Sequence, residues 1–344
     1  MNILLLASHA VAEYDDVRMF TDLGYDVFAP GGYETPGRAP EGIRPPLDSP
    51  AYPELVARLH EVREAYGDPG DLIDAGKARL HDDIIDWADA IIVHHFPERW
   101  IGGQWDRIRH KRVIWRTCGQ SDPRLEREMS RFSADGMQIV RYSPAEKRYF
   151  EPLGSFAGQD ALIRFGKYPA DYGPWIGDDV VVGNVTQHML QRGDACGYEF
   201  WRQATEGLPV KPAGPGSEAI GGVGSLDYPE MLEYLRHIRV YLYTGTVPAS
   251  YTLGLMEAML SGVPVVSIGP RAWTGPEELF EAHEFVGSWH WADDPGRARQ
   301  ALEAYLAGGN YSYNLELETK RMRKTATALW GIETIGAQWR EFLG

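Results

Sequence analysis

Apolar positions along this chain gather into short β-rich runs, separated by segments where they recur every three or four residues. In the first half the runs NILLLAS (2–8), YDVFAP (25–30), AIIVHHF (90–96), RVIWRT (112–117) and MQIVRYS (137–143) predict strands. Between the first two, EYDDVRMFTDLG predicts a helix stopped by Gly24. Alternation of this kind predicts a parallel sheet with crossover helices, a Rossmann-like half. After Tyr149 the register loosens through EPLGSFAGQDALIRFGKYPADYGPWIGDD, a Gly-, Pro- and aromatic-rich stretch that reads as a connection.

A second series follows. DVVVGN (179–184), LPVKPAG (208–214), VYLYTG (240–245) and VPVVSIG (263–269) predict strands, with helices over about Gly193–Glu206, around PEMLEYLRH and near Leu253–Ser261. The tail TKRMRKTATALWGIETIGAQWREFL predicts one or two helices. The resulting division is an N-terminal Rossmann-like acceptor domain over 1–165, a C-terminal Rossmann-like donor domain over 166–325, and a helix over 326–344 that packs back toward the first domain. The expected class is α/β, two such domains facing each other across a cleft, where open α/β sheets bind ligands.

Composition narrows the function classes. With 344 residues, 44% apolar, the chain can bury two ordinary cores, and its 24% charged fraction without low-complexity tracts argues for order throughout. No apolar run approaches the ~18 residues that a membrane span needs. The opening MNILLLASHAVA lacks a basic leader and runs directly into Glu13, Asp15 and Asp16, so it reads as a buried first strand rather than a signal peptide. Cys118 and Cys196, without metal or redox spacing, fit reduced thiols and a cytoplasmic protein.

Net charge is −15, unevenly spread: twelve Lys/Arg stand against six Asp/Glu from Arg99 to Arg148, so that window is +6 and the remainder −21. Trp100, Trp105 and Trp115 lie in or beside its basic stretch RIRHKR (107–112). The window reads either as a solvated basic helix face or as a surface for an anionic acceptor, a nucleic acid or an anionic membrane.

Chemistry concentrates in ASYTLGLMEAMLSGVPVVSIG (249–269). A helix starts after a loop, carries Glu257 near its beginning, stops at Gly262 and leads into a buried strand. A helix N-terminus offers free N–H groups to a diphosphate, and a carboxylate one turn in can accept two hydrogen bonds from ribose hydroxyls. The string resembles the donor-binding segment of GT-B glycosyltransferases, specifically retaining glycosyltransferase family 4, with its G-L-x-x-x-E-A-M-A-x-G-x-P-V-V pattern. Upstream, GNVTQHMLQRGDACGYEFWRQA resembles the G-R-L-x-x-x-K-G-x-D passage of that family, with Arg192 in the place of the basic residue that grips the diphosphate and Asn184 where the family has Arg.

The resemblance implies a nucleotide-sugar donor, UDP- or GDP-linked, in the C-terminal half. Glu257 would hold the ribose and Arg192 the diphosphate, with Asn184, Gly214, Ser250, Tyr251, Thr252, Leu253 and Gly254 around them. Ala249 occupies the position of a family glutamate near the donor sugar, which implies a different donor sugar, replacement by the hydroxyls of Ser250, Tyr251 or Thr252, or binding without transfer; Thr252 in the place of a family glycine implies a reshaped sugar pocket. The resemblance is thinner in the N-terminal half. Ser8, His9 and Ala10 replace a glycine-rich loop, and Cys118, followed by Gly119 and Gln120, stands in the slot of a family histidine. Ser8, His9, Cys118 and Gln120 are therefore the acceptor-side candidates, and His9 and His95, at carboxyl ends of predicted strands, join Arg192 as catalytic candidates. No Asp-x-Asp occurs and adjacent His94 and His95 point to opposite faces of a strand, so the expected transfer is metal-independent, with no cofactor beyond the donor.

Rival readings stay open. Gly214, Gly216 and Ala219 score as a dinucleotide fingerprint, but the first strand lacks glycine, which disfavours an NAD enzyme. A catalytically degenerate nucleotide-sugar-binding protein and a nucleotide-sugar epimerase share the architecture. For the transferase, a modified DNA base stacked on Trp100, Trp105 or Trp115, or a lipid at a membrane surface, would use the basic window.

Overall fold

The computed structural model describes residues 1–7, 9–29, 73–74, 79–287, 290–308 and 315–344. They form two compact units, Met1–Gly166 with Ile335–Gly344, and Lys167–Thr334.

The first unit is built on β1 (Asn2–Leu6), β2 (Asp26–Phe28), β5 (Ala90–Val93), β6 (Arg112–Arg116), β7 (Gln138–Arg141) and β8 (Ala161–Leu162), with a short β3 (Ile73–Asp74) and β4 (Arg79–Leu80) pairing antiparallel beside it. The six strands run parallel in the order β2-β1-β5-β6-β7-β8. Ile3 to Leu6 and Ala90 to Val93 are buried throughout, as expected of strands covered on both faces. β8 lies in the stretch that the sequence pattern assigned to a connection. Two residues are too few for a periodic signal, and the strand exists because Asp160 and Ile163 hydrogen-bond to Ile139 and Arg141 of β7.

The first helix spans Ala10–Asp22, starting earlier than its charged residues suggested, and Glu13 and Asp16 are buried on it. Pro123–Ala134 begins where Asp122 accepts hydrogen bonds from the N–H groups of Arg124 and Leu125, with Pro123 at the first helical position. The 107–112 stretch is not one helix: Trp105–Ile108 is a single turn and Arg112 opens β6. Trp339, on the closing helix Ile332–Leu343, is fully buried with its ring edge-on to Phe20 at 5.0 Å.

The second unit holds β9 (Asp179–Val185), β10 (Val210–Ala213), β11 (Ile238–Tyr243), β12 (Val265–Ile268) and β13 (Trp291–Ala292). They are parallel, in the order β10-β9-β11-β12-β13. The helix Leu253–Ser261 is buried nearly all round, which fits a sequence apolar on every face. It ends at Gly262 in the left-handed conformation (φ 85°), and the chain turns directly into β12.

Candidate functional site

In each sheet the strand order reverses direction once, between β1 and β5 in the first unit and between β9 and β11 in the second. Loops leaving carboxyl ends on either side of such a reversal diverge, which makes it the usual ligand crevice of an open α/β sheet.

In the second unit, the loop after β11 delivers the Leu253–Ser261 helix. Thr252 caps it, its Oγ1 accepting from the Leu255 N–H at 3.4 Å. The N–H groups of Leu253 and Gly254 belong to the first turn, outside the intrahelical ladder. A Cβ on Gly254 would lie 3.2 Å from the Tyr241 hydroxyl and 3.3 Å from the Val185 carbonyl, so glycine lets the helix start abut the end of β9. Glu257 is buried, and its Oε1 accepts from Lys167 Nζ at 2.7 Å. Lys167 is itself 1% exposed and tied by its backbone to Trp330 and Ile332. One oxygen of the carboxylate expected to serve ribose is thus committed to an internal ion pair.

β9 runs out into Thr186, Gln187 and His188. His188 takes the left-handed conformation (φ 50°), which costs a non-glycine residue about 1 kcal/mol or more, and its N–H donates to Pro215 O at 2.7 Å. Arg192 is exposed, with Nη1 3.4 Å from Gln187 O, and no carboxylate among the described residues pairs with it, Asp194 included. Asn184 is buried and donates from Nδ2 to Leu242 O at 2.7 Å, tying β9 to β11. Gly214, at φ 113°, is a position where a Cβ would meet Thr186 O at 2.9 Å.

The hydroxyls expected to replace the missing carboxylate are differently placed. Ala249 is half-buried in a turn closed by its N–H to Thr246 O at 2.7 Å. Ser250 is fully buried, and Tyr251 packs in the interior, its ring 5.3 Å from Phe285 and 5.6 Å from Trp330. Thr252 remains half-exposed at the helix cap.

In the first unit, His9 and His95 stack with centroids 6.5 Å apart at the ends of β1 and β5. His9 is exposed; burial, then His94 and His9, push the buried His95 imidazole down to about 3, so it is neutral and a weak proton acceptor at ordinary pH. Behind it, Asp16 Oδ2 stands 3.0 Å from His94 Nε2 and 3.2 Å from Arg116 Nε, all three side chains buried. Burial lowers His94 against the opposing pull of Asp16. The Cys118 thiol donates to His94 O at 3.5 Å, and burial and the Glu146 carboxylate push it up to about 12, which makes it a poor nucleophile. Gln120 is exposed beside it, while Ser8 lies outside the described residues.

Three of the twelve Lys/Arg of the basic window are committed within the unit. Arg141 makes a buried two-pronged pair with Glu126 at 2.6 and 2.7 Å, Arg116 pairs with Asp16, and Arg112 donates to the Leu343 and Phe342 carbonyls. Trp115 is a core residue, and Trp105 donates to Asp135 Oδ2 at 2.6 Å while packing on Phe132. Trp115 and Trp105 are therefore not free platforms, while Arg99, Arg109, Arg124, Arg127, Arg131, Lys147 and Arg148 of the window are exposed. Both cysteines are free, no helix among the described residues is long and apolar enough to cross a membrane, and none of those residues forms a cluster of three or more His, Cys, Asp or Glu suited to a metal ion.

Sequence reasoning missed Lys167, His188 and Asp16. Lys167 sits in an aromatic, Pro-rich stretch without period, and Asp16 on a helix where nothing in the sequence marks one acid for burial.

No protein-family model matches the chain, and no curated protein matches it. Among solved structures it is similar over its whole length to HepE of Anabaena, in a crystal structure with UDP and glucose, at 14% identity and TM-score 0.66, covering 99% of that chain. It is also similar over its whole length to sucrose-phosphate synthase from Thermosynechococcus elongatus, at 15% identity and TM-score 0.63, covering 98% of it. A glycosyltransferase from Rickettsia africae matches 99% of this chain at 11% identity and TM-score 0.61, with 97% of its own length covered. At such identities the likeness establishes architecture alone. The chain has the GT-B fold.

Proposed function

We propose that this protein is a glycosyltransferase that moves a sugar from a nucleoside-diphosphate sugar to an acceptor hydroxyl. The observation that carries the reading is the start of the Leu253–Ser261 helix. There a glycine admits close backbone approach, a buried carboxylate lies one turn in, and the neighbouring β9 loop holds Arg192, which has no carboxylate partner among the described residues. HepE, a structural neighbour, was solved with UDP-glucose, which supports a UDP-sugar as the first donor to try.

In this reading the Leu253 and Gly254 N–H groups and Arg192 take the diphosphate, Glu257 takes the ribose, and a reshaped pocket around Ala249 and Thr252 takes a hexose. Transfer proceeds with retention and without metal. The bond from the anomeric carbon to the β-phosphate oxygen breaks, the acceptor oxygen bonds to the same face, and its proton passes to the released phosphate. A neutral His95 held near 3 supports that route, since it is poorly suited as general base. The acceptor side falls to His9, Cys118 and Gln120.

A second reading, binding without transfer, is favoured by Ala249: neither it nor the buried Ser250 and Tyr251 supplies a carboxylate to the sugar. Thermal stabilisation by UDP, GDP and UDP-glucose, with and without EDTA, tests the donor site in wild type and Glu257→Gln. A shift for one base that shrinks in the variant supports it; no shift with any nucleotide overturns it. Donor binding without release of UDP to any acceptor or to water leaves the second reading.

A further inference from the structure

At the carboxyl ends of β5 and β6 lies a cavity of about 290 Å3, lined among others by Phe96, Glu98, Cys118, Gln120, Ser121 and Arg124. Its size is at the lower end for ligand pockets, roughly 300 Å3, and suits one ring rather than a length of polymer. Phe96 opens onto it 43% exposed and in the left-handed conformation (φ 54°), a strained arrangement that holds a large apolar ring in solvent. Arg99, outside the lining, covers one face of that ring with its guanidinium carbon 5.1 Å from the centroid.

Part of the polar lining is unspent. Glu98, Gln120 and Ser121 have no side-chain hydrogen bond among the described residues, and Ser121 is 6% exposed. A carboxylate, an amide and a hydroxyl beside an aromatic ring form a set that can bind vicinal hydroxyls, with the C–H face of a saturated ring against the negative π-face. The electrostatics disfavour an anion. Asp122 occupies the donors at the start of the Pro123–Ala134 helix through the Arg124 and Leu125 N–H groups, so no bare helix end faces the cavity. The lining carboxylates Glu98, Asp122 and Glu128 outnumber Arg124, the one Arg or Lys of the lining.

We propose that this cavity is the acceptor subsite and that it takes a single uncharged, polyhydroxylated ring, a glycoside, rather than a phosphorylated acceptor or nucleic acid. As an acceptor assignment it rests on the glycosyl-transfer reading. Glu98 and Gln120 hold hydroxyls of the ring, Ser121 a third, and Phe96 its apolar face.

The test is calorimetric and saturation-transfer NMR titration of the full chain with the methyl α-glycosides of glucose, galactose and mannose, and with glucose 6-phosphate. The expected result is saturable binding of at least one methyl glycoside, insensitive to salt and weakened about tenfold by Glu98→Gln and by Gln120→Ala. In both variants the stabilisation by UDP stays at the wild-type value, since they leave the second unit untouched. Three results overturn the proposal: no methyl glycoside binds, binding is unchanged in both variants, or glucose 6-phosphate binds more tightly than the glycosides in a salt-dependent way. Glycoside binding without any nucleotide-induced stabilisation overturns the transfer reading alone, leaving a carbohydrate site at the cavity.

Discussion

Lys167 Nζ lies 2.7 Å from Glu257 Oε1, and both side chains are almost fully withdrawn from water. The pair joins the first residues of the second unit to the helix that carries its candidate donor site. Removing one partner of a buried pair strands the other charge, at a cost of about 3–5 kcal/mol. Lys167→Met should therefore lower unfolding free energy in urea by about 3 kcal/mol. Adding Glu257→Gln should recover part of the loss, because the remaining group is then uncharged. A double variant that loses the sum of the Lys167→Met and Glu257→Gln losses would mean that the pair is not energetically coupled.

Arg192 is the opposite case. It is exposed and has no carboxylate partner among the described residues, so folding gains little from it. Arg192→Ala should leave urea stability within about 0.5 kcal/mol, as for an ordinary surface site. It should weaken binding of the preferred nucleoside diphosphate about 10- to 100-fold, the scale of a lost two-pronged phosphate contact. Unaltered affinity by calorimetry would remove Arg192 from the donor site.

Glu146 gives the first unit a pH dependence. Burial, opposed by Arg141 and by the Thr117 hydroxyl at 2.6 Å, pushes this carboxyl up to about 7. Because its folded value lies above the unfolded one, the folded protein keeps a proton that the unfolded chain has already released. Its contribution to stability is full at acid pH and is lost as pH rises through about 7. Glu146→Gln keeps the shape and an acceptor for Thr117 but no longer ionises. It should be more stable than wild type by about 2 kcal/mol at pH 8, with the gap closing toward pH 5. A gap constant across that range would mean that Glu146 is not the titrating group.

Much of this architecture was legible because parallel strands buried on both faces and crossover helices carry different periods. Ile3–Leu6, Ala90–Val93 and Tyr241–Tyr243 read directly as strands. Local chemistry was legible where one short segment supplies it: the helix start near Leu253, Glu257 upon it and the stop at Gly262 are read from the sequence, whereas the Thr252 cap, the close approach at Gly254 and the burial of Glu257 are seen only in the structure. Long-range partners left no trace. Lys167 meets Glu257 across 90 residues, and Asp16 meets Arg116 across 100, separations at which pattern carries no register. Nor does the sequence show that Arg116 and Arg141, two of the twelve Lys/Arg of the basic window, are held by Asp16 and Glu126 inside the unit. Two-residue β8 was illegible because its pairing partner, rather than its composition, defines it.

Gly214 separates backbone strain from close approach. It and Gly207 both have positive φ, 113° and 71°, so alanine at either meets an unfavourable backbone conformation costing about 1 kcal/mol. Around Gly207 a Cβ would find nothing within 4 Å, whereas at Gly214 it would press on Thr186 O at 2.9 Å and Thr186 C at 3.1 Å, main-chain atoms that move only with the end of β9. Gly214→Ala should thus cost more than Gly207→Ala, by about 1–2 kcal/mol in urea unfolding, the usual price of forcing an extra carbon into a packed site. It should also displace the Thr186–His188 loop that leads to Arg192, and so reduce stabilisation by nucleotide, while Gly207→Ala leaves that stabilisation intact. If both variants lose equal stability and bind nucleotide equally well, the Gly214 turn is a chain reversal without a part in the donor site.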